Sequence, residues 1–179
     1  MVLLLGVLMI PLSVKAASIN AADWQSYRAA FLDASGRIID TGNNGISHSE
    51  GQGYGMWLAV LADDQANFEL IWSFTKTELL VRDDGLAAWK WDPQSTPHVS
   101  DINNATDGDI LIAQALALAA RQWGRQDLAD AGRTIAKAVL GPELVDETIC
   151  AGQRVKPAKL LDHGFEFRDT TIAESIASA

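Results

Sequence analysis

Two short stretches of this sequence place carboxylates where proton transfer is conceivable: Ser49-Glu50-Gly51-Gln52-Gly53-Tyr54-Gly55-Met56 and Asn103-Asn104-Ala105-Thr106-Asp107-Gly108-Asp109. Each acid stands where a polar loop gives way to apolar periodicity, at the mouth of an expected helix. Glu50 opens a helix among three glycines, and glycine lets backbone approach a ligand closely. Tyr54 and apolar neighbours are expected to wall its carboxyl, surroundings that disfavour the charged form. A carboxyl kept protonated near neutral pH donates to a leaving oxygen, the general-acid step of glycosidic cleavage. Two plainer readings stand beside this one: Glu50 as an acid favoured by a helix macrodipole, and Asp107 as a cap formed with Thr106.

The sequence also spends six Trp against two Tyr and five Phe. Trp is favoured where a flat amphipathic ring meets a ligand. Trp89 and Trp91 lie in Ala87-Ala88-Trp89-Lys90-Trp91-Asp92. In extended chain alternate residues point the same way, so the pair is expected to form one indole platform. Indole faces suit the apolar faces of pyranose rings; the alternative is that one or both plug the core. Trp57, Trp72 and Trp123 sit at helical spacing among apolar neighbours and are assigned to the core.

Other chemistries fit poorly. The Gly51–Gly55 run is no dinucleotide fingerprint, because Met56 occupies the third glycine position and no strand precedes it, and a Gly-Lys-Ser/Thr phosphate loop is absent. A calcium loop begun at Asn103 would put Ala105 and Gln114 where oxygen-rich acidic ligands belong. A lone Cys150 and three scattered His offer no metal set, so neither a metal nor a cofactor is expected. With 23 acidic residues against 14 basic ones and a net charge of −9, a nucleic-acid backbone or an anionic lipid surface would be repelled.

Helices must position these groups. The spacing predicts a first helix over Ala21–Phe31 with Trp24, Tyr27, Ala30 and Phe31 on one face. Turn-rich Thr41–Gly45 then delivers the chain to a second helix, Glu50–Leu61. A third is expected over Asp64–Val81, with Phe68, Ile71, Trp72 and Leu79 or Leu80 inward, closed by Asp83-Asp84-Gly85. Leu86–Asn104 reads as a long ordered loop, and such loops are usually functional. Helices over Gly108–Trp123 and Gln126–Leu140 follow, the first with Ile112, Leu116, Ala119 and Ala120 on one face. Strand signals are scarce, so the class is all-α, a succession of helix pairs.

With these elements in place, Ser49–Met56, Trp89-Lys90-Trp91 and Ala105–Asp109, followed by Ile112-Ala113 and Trp123, resemble glycoside hydrolase family 8, in particular its bacterial endoglucanases associated with cellulose synthesis. The resemblance covers roughly Trp24 to Leu140. It implies an inverting endo-β-1,4-glucanase built as an (α/α)6 barrel of helical hairpins, incomplete in this chain. It implies Glu50 as general acid, Asp107 as the aspartate that holds a strained sugar ring, and Trp89 as a sugar-stacking residue; Trp91, Tyr54 and Gln52 join them as substrate-binding candidates. The implied partner is a β-linked polysaccharide, acted on by a monomer that associates with cellulose-synthesis machinery. In the family the base that activates water is an aspartate well downstream, and Asp162 and Asp169 do not sit in its context. The chain is therefore expected to hold a half-built cleft with little or no turnover. Relatives acting on chitosan, xylan or mixed-linkage glucan, and a non-catalytic glycan-binding remnant, stay open as alternatives.

Val2–Leu12 is an apolar run too short to span a membrane, and Ser13–Ala17 supplies small residues suited to cleavage. Residues 1–17 are read as an export signal, with a periplasmic or secreted product and no membrane attachment after cleavage. Residues 18–179 are read as the catalytic domain, with its C-terminal part expected to be missing and 141–179 divergent from the family pattern.

Overall fold

The computed structural model describes residues 18–141; the expected export signal at 1–17 and the stretch 142–179 lie outside the described residues. Asn20 starts the first helix, α1 (Ala21–Phe31), by accepting the Asp23 N–H at 2.8 Å. Trp24 is its buried residue; Tyr27 and Phe31 are partly buried, and Ala30, expected on the same face, is exposed. A turn through Asn44 and Gly45, both at positive φ, leads into β1 (Ser47–His48) and α2 (Ser49–Leu61). Asp64 caps α3 (Gln65–Phe74), accepting the Asn67 N–H at 3.1 Å.

The third helix does not continue regularly to Val81. It passes at Thr75 into a π-helical turn, Thr75–Leu79. The Thr75 hydroxyl donates back to the Ile71 carbonyl at 2.8 Å and accepts from the Gln52 side chain, so the π turn begins where α2 is bonded to this helix. Phe68, Ile71, Trp72 and Leu79 are buried as expected, with Leu80 half-buried.

The loop between 86 and 104 holds β2 (Lys90–Trp91), which pairs antiparallel with β1 in the register Ser47 to Trp91 and His48 to Lys90. Helix α4 (Thr106–Trp123) starts two residues before its predicted position and joins α5 (Gln126–Leu140) through Gly124-Arg125. Neither Thr106 nor Asp107 is its cap: Ala105 occupies that place with no side-chain bond, and both polar residues fall in the first turn, where the macrodipole favours an acid. Ile112, Leu116, Ala119 and Ala120 are all buried.

The helices pair in a definite sense. Gly108 lies against Ser49 and Glu50, Gly53 against Leu111 and Ile112, and the Gln122 side chain reaches the Val60 carbonyl, so α2 and α4 run parallel and in register along their length. Helix α3 runs antiparallel to α2, placing Thr75 beside Gln52 and Ile71 beside Gly55. Helix α5 runs antiparallel to α4, with Gly132 seated on Ala113 and Leu116. Two hairpins thus stand side by side, their N-terminal helix starts at one end.

Candidate active site

That end carries both motifs. A Cβ on Gly108 would come within 2.2 Å of Ser49 Oγ and 2.8 Å of the Glu50 nitrogen, a contact that only a residue without a side chain permits. Ser49 is buried there, its Oγ without a hydrogen-bond partner among the described residues. Glu50 and Asp107 therefore project from neighbouring helix starts, and both are exposed. The apolar wall expected around Glu50 is not formed by the described residues: Tyr54, one turn along, is itself 45% exposed.

Trp89 stands between the two helix starts. Its carbonyl accepts the Ser49 N–H at 3.0 Å and its N–H donates to the Asn103 carbonyl at 2.8 Å, tying it to the segments that lead into α2 and α4. The half-buried indole is pinned by its edge, Nε1 donating to Asp101 at 2.8 Å, with the His48 ring centroid 5.7 Å away. His48 in turn meets Asp40 at 3.1 Å. The Asn103 N–H and the Trp89 indole hold the Asp101 carboxyl below its usual range, which keeps an ionised acceptor under the indole.

Two of the residues expected to touch substrate face elsewhere. Gln52 is fully buried: its amide oxygen accepts the Ile38 N–H at 2.6 Å, and its NH2 donates to the Gly36 carbonyl at 3.0 Å and to Thr75 at 3.1 Å. It fastens the segment before β1 to α2 and α3. Two positions after Glu50 on a helix lies the opposite side, so nearness in sequence misplaced it. Trp91 is buried as well, edge-on to Phe74, under the Arg37 guanidinium at 4.2 Å, its Nε1 donating to Glu78 at 3.1 Å. It shares no platform with Trp89, because the ladder covers only residues 90 and 91 and side-chain alternation needs a regular strand on both sides.

A residue that pattern reading passed over is Asp109, fully buried on the first turn of α4. Burial raises its carboxyl above the usual value, while bonds from the Ala87 N–H at 2.8 Å and the Asn104 amide at 2.9 Å favour the ionised form. A separate groove of about 380 Å³ between α1 and α3, lined in part by Gln25, Arg28, Asp33 and Asn67, includes neither acid. Among the described residues no three His, Cys, Asp or Glu stand together as a metal set, and no helix is long and apolar enough to cross a membrane.

Comparison with known proteins identifies the family and the fold. The family model for glycosyl hydrolases family 8 matches residues 3–160. A probable endoglucanase of Novacetimonas hansenii is 49% identical over 107 residues, 60% of this chain and 31% of that protein. An endoglucanase of Cellulomonas uda is 42% identical over 117 residues, 65% of this chain and 33% of its own length. The crystal structure of an endoglucanase from Komagataeibacter sucrofermentans superposes with a TM-score of 0.65 at 49% identity, covering 66% of this chain and 37% of that one. The chain thus spans about a third of the length of the relatives it matches. The helix hairpins are part of an (α/α)6 barrel, and the chain belongs to glycosyl hydrolases family 8.

Proposed function

We propose that this chain carries the acid side of an endo-β-1,4-glucanase cleft that hydrolyses internal bonds of cellulose-like β-glucan with inversion. The observation that carries the reading is the contact of Gly108 with Ser49 and Glu50, which puts two exposed carboxylates on adjacent parallel helix starts with Trp89 stitched between them. Endoglucanase is also the activity named for the similar proteins above.

In this reading Trp89 stacks on a glucosyl ring and Tyr54 borders the chain. Asp107 hydrogen-bonds a ring held out of its relaxed shape, and Glu50 protonates the glycosidic oxygen as the bond to the anomeric carbon breaks. Water attacks the opposite face, activated by a second carboxylate about 6.5–9.5 Å from the acid, a spacing that leaves room for that water. No described residue is assigned that base. A polymer laid over the exposed Glu50 would exclude water from the bond to be broken. The apolar run and the small residues that follow it within 1–17, read as an export signal, support a periplasmic or secreted place of action; N-terminal sequencing of the mature protein tests cleavage after Ala17.

The test of the chemistry is reducing-end release from cellohexaose by the 179-residue chain, with the anomers followed by proton NMR. Cleavage, at whatever rate, is expected to yield the α-anomer first, and Glu50→Gln is expected to lower it by at least about a hundredfold. A β-anomer appearing first, or turnover surviving in Glu50→Gln, overturns the assignment.

A further inference from the structure

We propose that Asp109 is a positioning residue for the cleft, a buried clamp that fixes where the Trp89 indole stands relative to Glu50. The inference rests on the reading of Trp89 as a sugar platform. The loop bearing Trp89 leaves the core at Ala87 and returns at Asn104, and the Asp109 carboxylate holds both points: Oδ1 accepts the Ala87 N–H at 2.8 Å, and Oδ2 accepts the Asn104 amide at 2.9 Å. Ala88 and Asn104 are bridged directly between these two anchors, and Trp89 follows as the next residue. From there Trp89 is bonded on one side to Asn103 and on the other to Ser49, the neighbour of Glu50. A continuous set of bonds therefore runs from the first turn of α4, through the Trp89 backbone, to the first turn of α2. Arg82 stands near the buried acid as a compensating charge, paired with Asp84 at 2.9 Å and bonded to the Ile102 carbonyl. Asp109 is two positions from Asp107, so the same helical turn presents one acid to solvent and turns the other inward under the loop.

A carboxylate is suited to the place because it accepts from two donors at once, and an amide there would present a donor to the Asn104 amide. This gives a polarity-swap test. In Asp109→Asn one bond is lost; in the double variant Asp109→Asn with Asn104→Asp the new amide at 109 donates to the new carboxylate at 104, and the overall charge is unchanged. The full chain is labelled with 5-fluorotryptophan, and the Trp89 resonance is assigned by its absence in Trp89→Phe. Asp109→Asn is expected to shift or broaden the Trp89 signal while the core Trp72 signal holds, and to weaken cellohexaose binding about tenfold; the double variant is expected to return both to within about threefold of the parent. Should Asp109→Asn not fold, Asn104→Ala, which removes one bond and leaves the buried acid paired to Ala87, is expected to give the same selective shift. An unmoved Trp89 signal, Trp72 moving with it, or a double variant no better than the single one overturns the proposal. If the parent chain does not bind cellohexaose, the glucanase reading fails, and the fluorine signals still decide whether Asp109 positions the indole.

Discussion

The close approach of α2 and α4 makes Gly108→Ala the most revealing single substitution. A Cβ at this position would lie 2.2 Å from Ser49 Oγ, 2.9 Å from Ser49 Cβ and 2.8 Å from the Glu50 nitrogen. The hydroxyl can rotate away, but the backbone nitrogen cannot, so the two helix starts must part by about 0.6 Å to restore ordinary contact. Overpacking of this kind costs about 1–3 kcal/mol. Alanine recovers at most about 1 kcal/mol of helix propensity over glycine. Because the obstacle is backbone, the strain falls in the upper part of the overpacking range, about 2–3 kcal/mol, and the expected net loss is about 1–2 kcal/mol, read from urea unfolding followed by Trp fluorescence. Gly53→Ala probes the same seam lower down, where a Cβ would lie 2.6 Å from Leu111 Cβ and 3.1 Å from the Ile112 nitrogen. Helices already forced apart accommodate a second methyl more easily, so the double variant should lose less than the sum of the two single losses. A Gly108→Ala protein as stable as the parent, or strictly additive losses, would refute the packing described.

Three further outcomes follow from the same geometry. Gln52→Leu leaves the buried Ile38 N–H and Gly36 carbonyl without their side-chain partner and should cost about 2–4 kcal/mol in urea unfolding; a loss under about 1 kcal/mol would contradict its role as an internal fastener. Trp91→Phe should cost stability through the lost Glu78 bond yet leave oligosaccharide affinity unchanged, and weakened binding would return Trp91 to the cleft. For Asp64, burial alone would raise the carboxyl, but bonds from Trp24 and Asn67 and the Arg28 charge outweigh it and hold it below the usual carboxylate range. Its contribution is therefore present above the unfolded value of about 3.9 and lost as pH falls through the lower folded value. Asp64→Asn should thus be less stable than the parent at pH 7, with the gap closing below about pH 4; a gap that widens on acidification would reverse the sign.

Much of the helical frame was legible because it rests on periodicity and punctuation. Ala21–Phe31 and Gln126–Leu140 were placed with the bounds the structure shows, each a patterned run closed off by a change of composition. The barrel class was legible through the motifs and the helix pairs together, and the family match bears it out. What failed were inferences that carried a property from one residue to its neighbours. Gln52 was drawn into the cleft by Glu50, although a helix turns two steps on to the core. Trp91 was drawn to Trp89 by an alternation that two paired residues do not sustain. The Gln52 amide meets Thr75, where the π turn begins, from 23 positions away, and Asp109 bonds Ala87 across 22; neither partnership leaves a local trace. Glu50 itself was correctly placed at a helix start, but the wall expected around it was a tertiary property.

The central claim, that these two helix starts and the loop between them form a β-glucan cleft, is tested most directly by titrating cellohexaose into the 179-residue chain and into Trp89→Ala, with urea unfolding showing that both are folded. The account predicts saturable binding by the parent and a loss of about 2 kcal/mol, about thirtyfold in Kd, in the variant. A folded parent that does not bind, or a Trp89→Ala protein that binds equally well, would contradict it.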